Sequence, residues 1–553
     1  MALWTDLFKR RKAARIRLQY HIFHMFWGDI VLEKIKGHSK EKIASSKAII
    51  VRDEKTASGR VHVGSMRGVV IHGVVAETLQ SENIACRYLY EINDFDPMDG
   101  LPVYLDQKSF AQHMGKPLCN VPSPDGKAAN FAEYFAEEFI GVIKEAGYSP
   151  EFYRSSTLYR TGRYNDAIRV ALEHADAIRE IYKRVSGSVK KDDWMPLQVI
   201  CEQCGKIGTT KVNAFDGKQV EYVCQEDLVI WAKGCGYRGK IAPFDGNAKL
   251  PWKVEWAAKF GMIGVDVEGA GKDHSTRGGS REIADTISRE VFGYEPPIDI
   301  PYEFFLVGGK KMSSSKGTGS SSREIASLLP PQLLRFLLIS KDPKRVIDFI
   351  PDGDTIPILY DTYDKYAENY FSGAKDDHSR IFHLAHPEET RALMVKRFLP
   401  RFSLVSFLVQ MPHMDFLSEI KALKGTSLTA EDIYEAEERA RYAKKWLEQY
   451  APESYRYTLQ YDKVPEPARQ FSPEQKAALR MLLEYVQNEE TLDGQNLHLE
   501  LHTIKEKTGI NPKDFFSAIY VSFLGKESGP KAGWFLSVLD KTFLIRRLQE
   551  VVK

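Results

Sequence analysis

A short apolar run at 48–51 leads into Thr56-Ala57-Ser58-Gly59-Arg60-Val61-His62-Val63-Gly64-Ser65, and a stretch with helical periodicity follows at 66–80. No other feature restricts the fold as much. A strand that ends in a glycine-bearing turn and opens a helix begins a βαβ unit, and the next apolar run, 84–94, supplies its second strand. The expected fold is therefore α/β, with a doubly wound, Rossmann-like parallel sheet whose ligand sits at the C-terminal ends of the strands. The turn has chemistry of its own. Its helix start presents unpaired N–H groups where the helix dipole also favours an anion. Gly59 and Gly64 let backbone approach a ligand closely, and His62 can donate a hydrogen bond to charge developing on a phosphoryl oxygen.

A second segment far downstream, Gly308-Gly309-Lys310-Lys311-Met312-Ser313-Ser314-Ser315-Lys316-Gly317, is rich in lysine and serine and edged by glycine. It is suited to holding phosphate oxygens, with Lys311 and Lys316 as mobile cations and the Ser313, Ser314 and Ser315 hydroxyls as donors. Neither segment is a GxxxxGK[ST] loop or a GxGxxG fingerprint. Together they frame one nucleotide-binding domain.

At these residues the chain resembles the class I aminoacyl-tRNA synthetases, whose signatures are a "HIGH" segment and a "KMSKS" loop. His62-Val63-Gly64-Ser65 matches the first, with Ser65 at its final position. Lys311-Met312-Ser313-Ser314-Ser315 matches the second, with Ser314 where most families keep a lysine. Within the class, Leu250-Pro251-Trp252-Lys253-Val254-Glu255-Trp256 and Gly271-Lys272-Asp273-His274 look most like the class I lysyl-tRNA synthetases. The resemblance runs in detail over 25–319 and continues as helical pattern to the end. It implies ATP-dependent attachment of lysine to tRNA(Lys) through an adenylate, with Mg²⁺ on the ATP. It also implies ATP contacts from Ser58, Gly59, His62, Gly64, Ser65, Gly271, Asp273, Lys311, Ser313, Ser314, Ser315 and Lys316, with His62, Lys311 and Lys316 catalytic. Thr56, Trp252 and His274 fall by the amino acid. Asp273 is a short carboxylate suited to ribose hydroxyls. Taken alone, His274 reads more readily as a structural histidine, and its place in the Gly-Lys-Asp-His match reverses that. Trp252 is a wall for the lysine stem or simply a core residue. The carboxylate facing the substrate ammonium stays open among Glu91, Asp94, Glu255 and Asp273.

Length and composition agree with this reading. A chain of 553 residues calls for several domains. With 77 basic and 75 acidic residues, a nucleic acid must be met by local patches rather than global charge. No apolar run reaches the roughly 18 residues that span a membrane. Six cysteines, four of them clustered, suggest a reduced, cytoplasmic setting rather than a disulfide framework; a monomer is the expected state. Residues 1–24 carry Lys9, Arg10, Arg11, Lys12, Arg15 and Arg17 against Asp6. They read as a basic extension, upstream of a true start at Met25, as a helical RNA-contacting arm, or as a targeting peptide.

Cys201 and Cys204 have knuckle spacing, and with Cys224 and Cys235 they supply the residue types of a four-thiolate zinc site. The second pair encloses 225–234, so either one ligand is wrong or that stretch is an inserted loop. In the resembling family such a lobe interrupts the nucleotide-binding fold and approaches the acceptor end of tRNA, which makes the zinc structural. The expected domains are 25–195 and 246–320 as two halves of the catalytic domain, 196–245 as the zinc lobe, 321–390 as a helical stem-contact region and 391–553 as an α-helical anticodon-binding domain. Helices are expected at 130–146, 166–185, 280–292, 432–450, 473–489 and 514–524, with a capping box at Ser321 and Glu324. Two other readings remain: a different class I synthetase or amino-acid ligase, and a non-catalytic tRNA-binding paralogue.

Overall fold

The computed structural model describes residues 26–310, 320–411 and 414–553. The basic extension 1–24, and Lys311, Ser313, Ser314, Ser315 and Lys316, lie outside the described residues. The chain divides into two compact units, one reaching Phe349 and resuming over Tyr366–Leu393, the other formed by Ile350–Lys365 and Met394–Lys553.

The first unit is built on parallel strands β1 (Ile49–Thr56), β2 (Cys86–Asn93) and β3 (Glu151–Arg154), ordered β1-β2-β3, with Ile49 opposite Cys86 and Leu89 opposite Glu151. Ile49, Ile50, Val51 and Arg52 are all buried, as expected of a strand covered on both faces. On its free side β1 takes up segment 265–271: Val51 bridges Val267 in parallel, and the Arg52 N–H donates to the Val267 carbonyl at 3.0 Å. That segment pairs in turn with 298–302, through Val267 with Ile298 and Gly271 with Tyr302. In space the order is β3, β2, β1, 265–271, 298–302. The direction of winding therefore reverses between β1 and 265–271, which is where a doubly wound sheet opens a ligand crevice.

Helix α1 (Met66–Ser81) crosses from β1 to β2 and is buried nearly all round, including Val69, Val70, Ile71, Val74 and Val75, the pattern of a core helix. Helix α2 (Phe131–Glu145) is capped by the Asn130 side chain. The single helix expected at 166–185 is instead two, α3 (Asn165–Glu173) and α4 (Ala175–Ser186), interrupted at His174. The break lets Ile168, Ala171 and Leu172 of one and Ile178, Ile181 and Tyr182 of the other reach one core. Helices α5 (Trp252–Ile263) and α6 (Ser280–Glu290) flank segment 265–271. Strand β4 (Phe305–Val307) pairs in parallel with β5 (Ile347–Phe349). β5 thus falls in a stretch expected to be helical, because three residues are too few for a period to show. Ser321 does cap a helix, its Oγ accepting from the Glu324 N–H, but that helix is only Ser322–Ala326.

Within the first unit, residues 201–241 form a small lobe around the antiparallel strands Thr210–Phe215, Val220–Cys224 and Arg238–Ile241. The short pair Gln198–Val199 and Ala248–Lys249 closes its neck. The second unit has helices and no strand among its described residues; its helices include α7 (Phe402–Leu408), α8 (Ala430–Gln449), α9 (Pro473–Asn488), α10 (Gly494–Thr508), α11 (Pro512–Leu524), α12 (Ala532–Ser537) and α13 (Lys541–Val552). Capping boxes at Thr429–Asp432 and Ser472–Gln475 start α8 and α9.

Candidate active site

A cavity of about 340 Å³ opens at the C-terminal ends of β1 and of segments 265–271 and 298–302, where the sheet order reverses. His62, Gly64 and Ser65 contribute the turn before α1, and Thr56 the end of β1. Trp252 comes from α5, while Gly271, Asp273 and His274 follow segment 265–271. All of these had been singled out in the sequence. Ser58 and Gly59 do not line the cavity; Gly59 is buried in the turn and Ser58 half-buried.

The turn is stitched to the far side of the lysine-serine segment. His62 bridges Ser321, the Val63 N–H donates to the Ser320 carbonyl at 3.3 Å, and the Ser322 Oγ donates to the Val61 carbonyl at 2.6 Å. On the near side the Gly309 N–H donates to Asp348 Oδ1 at 2.9 Å. The flanks of 311–319 are thus held, one to β5 and the other to the turn that follows β1. Gly64 is required by packing: a Cβ there would sit 2.9 Å from Nδ1 of His62, so any side chain would displace the imidazole.

Aromatic rings make one wall. Trp252 stacks on Trp256 with centroids 5.6 Å apart, and His274 meets Trp252 edge-on at 5.1 Å. Trp256 donates from Nε1 to Glu268 Oε1 at 2.6 Å. Thr56 donates from Oγ1 to Asp96 Oδ2 at 2.9 Å.

The floor is ionic and was not legible beforehand. Arg52, fully buried, pairs with Glu91 at 2.6 Å, with Glu268 at 2.7 Å and with Glu54. Lys259, also fully buried, reaches Glu54 at 2.8 Å and Glu91 at 2.7 Å. Lys249 contacts Glu255 and lies 3.1 Å from Asp96. Three cations thus face five carboxylates, Glu54, Glu91, Glu255, Glu268 and Asp96, so the ionised cluster carries two negative charges more than it can pair internally. The consequences differ by position. Burial opposes ionisation of Glu54, yet Lys259 and Arg52 outweigh it and hold its carboxyl below the ordinary range. Burial pushes Glu268 up, against the pull of Arg52. Glu54 and Glu268 both line the cavity, with Asp53, Asp273 and Glu303 beside them and Lys55 opposing, so carboxylates outnumber cations around the ligand space, and the arrangement suits a cationic group.

Of the four carboxylates left open in the sequence, three are committed elsewhere. Glu91 and Glu255 are wholly buried in the ion cluster, and Asp94 accepts from Ser156 N at 2.8 Å and Ser156 Oγ at 2.5 Å. Asp273 lines the cavity. Glu54, Glu268, Trp256 and Tyr302 also line it and were missed. Glu54 had a usable signal: it sits two residues before Thr56, so both side chains leave the same face of β1.

The four cysteines of the lobe converge, every Sγ lying within 4.8 Å of the others. Cys201–Cys235 and Cys204–Cys224 sulfurs are each 3.7 Å apart, and a tetrahedral ion with thiolates at about 2.3 Å gives edges of about 3.8 Å. The Cys235 N–H donates to Cys224 Sγ at 3.3 Å. The donor set and spacing fit a closed tetrahedral metal, with 225–234 as a loop between the last two sulfurs.

A crevice at the winding reversal of a parallel sheet, with a histidine turn at a helix start on one side and an aromatic wall on the other, defines a nucleotide-dependent enzyme of the class I synthetase type. Residues 25–388 match the family model for tRNA synthetases class I (K), and 403–552 match that for an anticodon binding domain. The chain belongs to the class I (K) tRNA synthetase family. It is 34% identical over 543 residues to a lysine--tRNA ligase of Methanosarcina barkeri, covering 95% of this chain and 97% of that protein. It is 32% identical to a lysine--tRNA ligase of Thermoplasma volcanium, covering 96% and 99%. A solved glutamate tRNA ligase from Elizabethkingia meningosepticum aligns at TM-score 0.41 and 12% identity, over 92% of this chain and 99% of that one. At that distance the likeness adds nothing to the architecture described above.

Proposed function

We propose that the protein is a lysine--tRNA ligase that activates lysine with ATP and transfers it to tRNA(Lys). The observation that carries the substrate is the ion cluster with its surplus of carboxylate charge, facing a cavity walled by Trp252 and Trp256. An apolar stem with a terminal ammonium meets both demands, the rings covering the stem and Glu54 taking the cation. Thr56 and His274 complete the amino-acid side. Gly64, Ser65 and the start of α1 receive phosphate oxygens of MgATP, and Gly271 and Asp273 take the ribose. His62 donates to the α-phosphate as charge builds there. The lysine carboxylate attacks the α-phosphorus, the bond to the β-phosphate oxygen breaks, and pyrophosphate leaves. A hydroxyl of the terminal tRNA ribose then attacks the acyl carbon and AMP departs. Lys311, Lys316 and the serines between them, with Ser58 and Gly59, complete the proposed ATP site. Catalysis is positioning and charge stabilisation throughout.

The proposed domains follow the same logic: catalytic halves at 25–195 and 246–320, the cysteine lobe at 196–245, a stem-contact region at 321–390 and an anticodon-binding domain at 391–553. The working state is a cytoplasmic monomer; no helix among the described residues is long and apolar enough to cross a membrane.

ATP–pyrophosphate exchange, run with lysine, arginine, ornithine, glutamate and cysteine singly, with and without tRNA, tests the reading. Exchange specific to lysine supports it, while exchange with another amino acid moves the enzyme elsewhere in the class. Silence from folded protein would favour a tRNA-binding paralogue.

Two further outcomes follow. Because burial raises Glu268, its proton binds before those of ordinary carboxylates as pH falls, and each proton removes charge that offsets the ammonium. The KM for lysine should therefore rise as pH falls, beginning before ordinary carboxylates titrate; a flat profile would remove Glu268 from the binding field. The cysteine lobe is proposed to hold structural zinc. Metal analysis should find one ion per chain, and Cys204→Ser should lose it and unfold the lobe, read as new protease cleavage within 201–241. Metal-free wild type with the lobe intact would refute the assignment.

A further inference from the structure

The ladder that joins β1 to segment 265–271 stops one step short of the cavity. Val267 makes both bonds due to it in a parallel pair, donating to the Ile50 carbonyl at 3.1 Å and accepting from the Arg52 N–H at 3.0 Å. The next rung would take the Gly269 N–H to the Arg52 carbonyl and the Glu54 N–H to the Gly269 carbonyl. Both N–H groups go elsewhere. The Glu54 N–H donates to Asp53 Oδ1 at 2.8 Å, and the Gly269 N–H donates to Nε2 of His72, on α1, at 2.7 Å. From this rung onward the two segments line the cavity, Glu54, Lys55 and Thr56 from β1 and Gly269, Ala270 and Gly271 from the other. His72 itself is wholly inaccessible. Because its Nε2 accepts from an N–H, the ring proton sits on Nδ1, which donates to the Gly68 carbonyl at 2.7 Å. Asp53 Oδ2, 3.5 Å from Nδ1, favours the same tautomer. Gly68 lets α1 lie close enough for this reach: a Cβ there would sit 2.7 Å from Asp53 Oδ2 and 3.0 Å from the Tyr302 hydroxyl.

We propose that His72 is a positioning residue for the nucleotide: by drawing the Gly269 N–H away from β1 it keeps the sheet parted at the crevice and holds Gly269, Ala270 and Gly271 at the separation ATP requires. This rests on the ATP-dependent reading above. A buried N–H needs a partner. Without an acceptor on α1, the Gly269 N–H turns to the Arg52 carbonyl, the missing rung forms and the crevice narrows. On its other side Gly269 is already flush with 298–302, since a Cβ would lie 2.4 Å from the Ile300 carbonyl oxygen. The ring is fixed at both nitrogens, so it acts as a spacer of one length between α1, which carries the histidine turn at its start, and the segment that receives the ribose. A histidine that only filled the core would need no acceptor at Nε2. Glu268, one residue earlier, is anchored independently by Arg52 and Trp256, so the lysine side of the cavity does not depend on this bond.

The test separates the acceptor from the shape of the ring. His72→Phe keeps a ring and removes the acceptor, His72→Leu removes it without the extra bulk, and His72→Gln restores an acceptor oxygen at about the reach of Nε2. Equilibrium dialysis of MgATP against the full chain should show affinity about tenfold weaker in His72→Phe and His72→Leu, the cost of one buried bond. His72→Gln should stay within about threefold of wild type. The same division should appear in the KM for ATP in lysine-dependent exchange, while the KM for lysine stays within about threefold in all of them. The proposal is overturned if His72→Phe and His72→Leu, folded by circular dichroism, bind MgATP within twofold of wild type. It is equally overturned if His72→Gln loses as much affinity as His72→Leu, because the ring and not the acceptor would then be what matters. A wild type that binds MgATP but exchanges with no amino acid would defeat the ligase reading, and the dialysis would still decide this inference. A wild type that binds no MgATP would defeat both.

Discussion

His62→Ala is expected to lower kcat for lysine-dependent ATP–pyrophosphate exchange by about 10²- to 10³-fold, the usual cost of removing one donor aimed at developing charge. The imidazole lines the cavity beside the start of α1 and is seated over Gly64, whose missing side chain makes room for it. Its backbone is held by the bridge to Ser321, so the truncation removes a group and leaves the turn in place. An interaction made only in the transition state lowers kcat and kcat/KM together. The KM values for lysine and ATP should therefore stay within a few-fold. Assays with saturating tRNA present are needed for comparison with wild type. A mutant that keeps its kcat and loses only ATP affinity would show that His62 binds the ground state and does not act on the transition state.

The second large effect belongs to Glu54→Gln, expected to raise the KM for lysine by about 10²-fold, in line with the loss of a desolvated charge partner. The substitution keeps the side chain's shape, so Arg52 and Lys259 retain an acceptor, but one of the two surplus negative charges disappears. The KM for ATP should hardly move, and discrimination between lysine and an uncharged analogue of equal length should collapse. If instead the KM for ATP rises and that for lysine does not, Glu54 serves the nucleotide and the surplus charge must act through Glu268 or Asp273. Thermal unfolding separates either result from a general loss, since breaking a buried pair costs roughly 3–5 kcal/mol.

These two residues show where the sequence speaks and where it is silent. His62 was legible because its chemistry is local: a strand end, a turn and a helix start contiguous in the chain, with spacing set by the turn. Cys201 and Cys204 were legible for the same reason. Cys224 and Cys235 were named with them by residue type, and their convergence comes from the strands Thr210–Phe215 and Val220–Cys224 folding back on the knuckle. Glu54 was missed because the ion cluster it belongs to draws Glu91, Lys259 and Glu268 from positions scattered over more than two hundred residues, around the shared cations Arg52 and Lys259. Helical periodicity was legible wherever a stripe ran long enough, as in α8, α9 and α11. It failed at His174, where one apolar stripe continues across two helices, and at β5, which is too short to carry a period.

By itself the sequence determined the opening βαβ order, the parallel α/β class and the glycine-bearing turn that brings His62 and Gly64 to the cavity, because hydrophobic period, glycine placement and helix-start chemistry act over a few neighbouring residues. Only the tertiary structure decided which carboxylates remain available to a ligand. That depends on which cations reach them in a buried, poorly solvated floor, and pairing there is set by the packing of β1, β2, α5 and segment 265–271 rather than by anything adjacent in the chain.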